Sequence, residues 1–244
     1  RPALERRRNV PVAAAEAGVG RVVSAPSSSV YGGAIQIPPP ETAPTIPRSP
    51  YAVAKLIGEH NSRIFWELYG LETVSIRYFN VYGPRQRPHS AYAAVIPRFV
   101  AAILTGTPPT IYGDGETSRD FCYVENVVQA NLLAATVEDP AATAQVYNVA
   151  VGDRMSLNEL HEVLRDAIAA RHPNLRFPPP LHAEFRAGDV RHSEADIGKA
   201  RRLLGYRPAW DVCSGLRDAL PWYEARAAED ESSRSERVNV RRAV

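Results

Sequence analysis

What most limits the fold of this chain is a succession of strand, helix and strand within one short stretch. RVVSA (21–25) and TVSIRYF (73–79) are β-branched and aromatic runs of the length of buried strands. Between them YAVAKLIGEHNSRIFWELYG (51–70) repeats apolar residues at helical spacing, with Pro50 just before it and Gly70 suited to end it. Two such strands joined through a long helix predict a parallel βαβ unit, and hence an α/β chain.

The rest of the chain continues the alternation. VIPRFVAAILTG and VVQANLLAATV read as helices, and PTIYG and QVYNVA as strands. SLNELHEVLRDAIAARH reads as a helix that Ser156 caps and Glu159 completes as a capping box. The stretch from Pro173 to His192 reads as mostly irregular, and the polar, charge-mixed residues 228–244 as a frayed tail. We expect the parallel-sheet part in residues 1–80 with parts of 120–150, and a smaller lobe mainly in 81–227.

Composition excludes several classes of function. A length of 244 residues with 45% hydrophobic content supports a sizeable core. A formal charge of +2, with no basic block interleaved with aromatics, argues against a nucleic-acid partner. The absence of an apolar run of about 18 residues and of a signal-peptide pattern predicts a cytoplasmic protein without a membrane partner. Cys122 and Cys213 have no C-x-x-C or Cys/His spacing, so reduced buried thiols are expected in preference to a disulfide or a metal site.

One pair of residues carries chemistry. Of the 29 basic residues only Lys55 and Lys199 are lysines, and Lys55 stands four residues after Tyr51. On a helix the two share a face, and an ammonium beside a phenol favours the phenolate, which can take or give a proton at an alcohol carbon. The plain alternative is a surface lysine beside a packed tyrosine. Upstream, PSSSVYGG places a cluster of hydroxyls at the carboxyl end of a strand, where open α/β sheets bind ligands. Serines there also serve simply as turn residues.

Taken in order, SSSVYG, SPYAVAK and RYFNVYGPRQ resemble the extended short-chain dehydrogenase/reductases that act on nucleotide sugars, the NAD-dependent epimerases and dehydratases. The resemblance covers residues 9 to about 225. It implies a partial doubly wound, Rossmann-like parallel sheet with a smaller C-terminal substrate lobe, NAD as cofactor, a UDP-sugar as substrate and a homodimer built on the helix of Tyr51 and its neighbour. By the same resemblance Ser27 is the catalytic hydroxyl, Tyr51 the acid/base and Lys55 the holder of the nicotinamide ribose. Phe79 lies beside the nicotinamide and Asn80 hydrogen-bonds the substrate. Ala94 and Val95 give backbone contacts to the nucleotide and Tyr112 lies against uracil. Arg119 and Arg186 clamp the diphosphate, and Asp189 touches the nucleotide. Ser193, small where some relatives carry a tyrosine, leaves room for an N-acetyl group, so the chain looks most like UDP-N-acetylglucosamine 4-epimerases.

Two departures from the family pattern stand out. The glycine-rich G-x-x-G-x-x-G turn between a first strand and helix does not occur in this sequence, and roughly 100 residues and about four strands of the usual layout are expected to be missing. A fragment, a misplaced start and a decayed copy all fit this, and weak NAD binding is the expectation. Pro26 replaces a usual serine and puts the aim of the Ser27 hydroxyl in question. Three functions stay open: the 4-epimerase, a dehydratase or decarboxylase on the same scaffold, and a non-catalytic UDP-sugar binder. The lack of an acidic pair in PSSSVYGG disfavours a dehydratase.

Overall fold

The computed structural model describes residues 2–33, 37–86, 94–186 and 189–242, with side chains described between residues 9 and 229 of these. In chain order the elements are α1 (Pro2–Glu16), β1 (Arg21–Ser24), α2 (Pro50–Tyr69), β2 (Glu72–Tyr78), β3 (Val81–Tyr82), α3 (Val95–Leu104), β4 (Thr110–Tyr112), β5 (Ser118–Arg119), β6 (Cys122–Tyr123), α4 (Val124–Thr136), β7 (Gln145–Val149), β8 (Met155–Ser156), α5 (Leu157–Ala169), β9 (Leu181–Ala183), β10 (His192–Ser193), α6 (Gly198–Leu203) and α7 (Val212–Arg242). They fall into two compact units. The first comprises residues 1–81, 117–155 and 187–211, the second 82–116, 156–186 and 212–244.

The first unit is built on a parallel sheet of order β1-β2-β7, with Val23 opposite Val74 and Ile76 opposite Tyr147. The expected βαβ unit is therefore present as β1-α2-β2. Ser49 caps α2 by accepting the Ala52 N–H, Pro50 occupies its first position, and Gly70 closes it in the left-handed conformation. Val74, Ile76, Tyr147 and Val149 of the sheet share one core with Ala195, Ile197, Ala200, Leu204 and Tyr206. That shared burial explains why 187–211, assigned by sequence to the smaller lobe, belongs to the first unit. Among the described residues β1 pairs on one side only.

The second unit packs α3, α5 and α7 on one another, with β4 and β9 paired in parallel beside them. Its buried residues recur at helical spacing: Ile96, Phe99, Val100 and Ile103 on α3, and Leu160, Leu164 and Ile168 on α5. The capping box of α5 is formed, Ser156 accepting from the Glu159 N–H while Glu159 accepts from that of Ser156.

Two expectations need correction and one an addition. Residues 228–242 continue α7 instead of fraying, because the buried start of the helix, at Leu216, Leu220 and Tyr223, supplies the nucleus from which each further turn adds cheaply. The stretch from Pro173 to His192 is mostly irregular among its described residues, as expected, and the regular elements to add are strand β9 and the start of β10. Cys122 is buried, but Cys213 is only half-buried.

Candidate active site

At the carboxyl end of β1 the chain turns into a short 3-10 helix, Ser28–Tyr31. Ser27 caps it in extended conformation, its hydroxyl accepting the Ser29 N–H at 3.3 Å. Gly32 ends the turn at φ 60°, and a Cβ there would stand 1.7 Å from the carbonyl oxygen of Ile46, so the turn requires glycine. Pro26 is buried just ahead of it, and Ser27 still lines the cavity described below.

The first turns of α2 supply the phenol and the ammonium. Tyr51 and Lys55 lie one helical turn apart, with the Lys55 Nζ 5.6 Å from the centre of the Tyr51 ring. Nζ also donates to the carbonyl of Ala25 at 2.5 Å, which ties the helix to the end of β1. The Tyr51 side of the site is open, that residue being 58% exposed.

Within the first unit, Ser27, Tyr51 and Lys55 share a cavity of about 590 Å3 with Phe79, Asn80, Arg119, Asp189 and Ser193. Phe79 is 2% exposed and forms an apolar wall. The Asn80 amide donates to the Asp120 carbonyl at 3.2 Å. Ser193 and Arg119 meet because β10 pairs in parallel with β5, where they stand opposite each other. The Arg119 guanidinium lies 3.7 Å from the Asp189 carboxylate; burial draws its pKa down and Asp189 counters that. Behind this wall Asp120, fully buried, accepts the N–H groups of Val151 and Gly152 at 3.0 Å and of Ala195 at 3.1 Å. Burial pushes its carboxyl up to about 7, against the pull of those donors.

The remaining sequence candidates belong to the second unit and do not line this cavity. Ala94 precedes α3 and Val95 begins it. Tyr112 ends β4 with the Arg186 guanidinium 3.8 Å from its ring centre and that of Arg98 at 5.9 Å. Hydrogen bonds from Arg186 and then Arg98 hold the Tyr112 phenol below the ordinary tyrosine range. Residues 91–93, just before Ala94, and 187–188, between Arg186 and Asp189, lie outside the described residues.

Sequence reasoning missed Arg48, His192 and Glu194, which also line the cavity, and Arg98 beside Tyr112. Arg48 and Glu194 each adjoin a motif residue, and adjacency was the only signal. Ser28 and Ser29 line the cavity too, and the Ser29 hydroxyl is buried there with no hydrogen-bond partner.

The family profile described as "NAD dependent epimerase/dehydratase family" matches residues 4–150, more than half of the chain. The chain belongs to that family. Its relatives within the epimerase/dehydratase family include a UDP-glucose 4-epimerase of Mycolicibacterium smegmatis, 38% identical over 212 residues, which cover 86% of this chain and 64% of the relative. Among solved structures, the UDP-N-acetylglucosamine 4-epimerase of Methanobrevibacter ruminantium in complex with UDP-N-acetylmuramic acid superposes with a TM-score of 0.80 at 38% identity. That match covers 88% of this chain and 66% of the other. The UDP-glucuronic acid 4-epimerase of Bacillus cereus, with UDP-glucuronic acid and NAD, superposes with a TM-score of 0.81 at 26% identity, covering 91% and 67%. This member of the family thus spans about two-thirds of the length of the relatives it matches.

Proposed function

We propose that the site serves reversible 4-epimerisation of a UDP-sugar with NAD as cofactor, the sugar being N-acetylglucosamine. The supporting observation is the convergence of Ser27, Tyr51 and Lys55 on one cavity walled by Phe79 and Asn80. In this reading the Tyr51 phenolate removes the proton of the sugar 4-hydroxyl, and the Ser27 hydroxyl hydrogen-bonds the same oxygen. NAD, when bound, supplies the hydride acceptor and donor at C4. The residues present fit its nicotinamide end: Lys55 for the ribose hydroxyls and the buried face of Phe79 for the ring. The partnerless Ser29 hydroxyl suits a sugar that brings its own hydrogen-bonding groups. Ser193, a small residue on the same wall, favours the bulkier N-acetyl sugar over glucose.

The test is interconversion of UDP-N-acetylglucosamine and UDP-N-acetylgalactosamine, followed by NMR with NAD in large excess. Tyr51→Phe is expected to lower kcat by about 100-fold or more while UDP affinity changes by less than about twofold. Turnover of UDP-glucose with UDP-N-acetylglucosamine untouched would overturn the choice of sugar. A second reading is a non-catalytic UDP-sugar binder, which would draw on the Arg186 guanidinium stacked 3.8 Å from the Tyr112 ring centre. Calorimetry separates the two: UDP binding with no NAD binding and no turnover supports the binder.

A further inference from the structure

Arg77 is a cation one residue before the end of β2, closing a run of otherwise apolar or small buried residues, and is 4% exposed. Its guanidinium forks onto the equally buried Glu59, Nε to Oε1 at 2.9 Å and Nη2 to Oε2 at 2.7 Å. Glu59 stands on α2 one turn beyond Lys55 and two beyond Tyr51. The remaining nitrogen, Nη1, donates to the Tyr31 hydroxyl at 2.7 Å and to the Glu41 carbonyl at 3.3 Å. The guanidinium also lies 4.7 Å from the Tyr31 ring centre. Tyr31 is the last residue of the serine turn, and its hydroxyl donates onward to the Asn148 side chain at 2.8 Å. Asn148 in turn donates to the Pro39 carbonyl at 3.0 Å.

One planar group thus reaches both elements that carry the candidate triad, the turn that Ser27 caps and the helix of Tyr51 and Lys55, and also the 39–48 segment that leads into that helix. An ammonium could not hold two of these partners in fixed directions at once, whereas a guanidinium does so by its geometry. If Arg77 served stability alone, a fork to Glu59 would suffice. The Tyr31 arm adds nothing to the neutralisation of charge, and it is the arm that reaches the serine turn.

We propose that Arg77, acting through the Tyr31 hydroxyl, is a positioning residue that holds the Ser27 turn in register with Tyr51 and Lys55; the catalytic part of this rests on the function proposed above. Tyr31→Phe removes one hydroxyl and leaves the Arg77–Glu59 fork in place, so the fold is retained. Arg77→Lys keeps the charge and loses the fork.

Hydrogen exchange and kinetics on the full chain test the proposal. Tyr31→Phe is expected to quicken exchange in residues 27–33 and 37–48 by about tenfold, with β7 and α4 unchanged. With NAD in excess, kcat falls about tenfold and the KM for the UDP-sugar stays within about twofold. Arg77→Lys gives the same local exchange pattern, more strongly. Wild-type exchange in both segments of Tyr31→Phe overturns the proposal, and so does a rise spread evenly over the chain. If the wild-type chain shows no turnover, the function proposed above fails while the exchange measurement still decides this one.

Discussion

Asp120 shows how a single carboxyl can set the pH response of a wall of the site. With its pKa raised from 3.8 to about 7, the folded chain keeps a proton that the unfolded chain has released between those values. The stability this confers is complete below the unfolded pKa and is lost as pH rises through 7. Glu41 is also raised by burial and acts in the same direction. Glu159 and Glu224, lowered by hydrogen bonds from Ser156 and Arg171, lose their contribution only as pH falls below about 4.5. His161, lowered chiefly by burial, works against Asp120 below 6.5. The urea midpoint is expected to fall from pH 5 to pH 8, and Asp120→Asn to flatten that slope while lowering the midpoint at pH 5. Tyr51 and Lys55 were legible because their spacing is local and helical. Asp120 was not, since its three N–H donors come from residues 31 to 75 positions away. Nor was the Arg77–Glu59 pair, which only the packing of α2 on β2 brings together.

Among the elements, α2 is the one whose polarity departs from simple expectation. Ala52, Lys55, Glu59 and Ser62 recur along one face, and all but Lys55 are buried. The Ser62 hydroxyl donates to Ser24, which is hydrogen-bonded to Ser75, so hydroxyls join helix and sheet where methyl groups would be usual. Val53, Ile57, Ile64 and Leu68 recur on the opposite face and are exposed. Periodicity therefore revealed the helix but not which side faces inward, because the polar side is satisfied by partners distant in sequence. On α5 the local signal sufficed, its capping box being set by residues three apart. Ser156→Ala is expected to cost about 1 kcal/mol in a urea melt, since it orphans the Glu159 N–H.

For the molecule as a whole, the apolar stripe on α2 is the feature a second copy would cover, as the sequence resemblance implies for a homodimer. Leu68 alone is 69% exposed. If the homodimer implied by the resemblance forms through this stripe, sedimentation shows a dimer for the wild type and a monomer for Ile64→Glu with Leu68→Glu; a monomeric wild type would overturn that expectation. The division into two units was less legible, because contacts within 187–211 follow the sheet core and not the order of the chain. That interleaving bears on how the protein comes off the ribosome. The first unit draws on three stretches ending at 81, 155 and 211, so its core cannot close until Tyr206 has been made. No single proteolytic nick between the units can release either of them whole, and synthesis halted at residue 155 would leave the sheet with one side of its core unfilled.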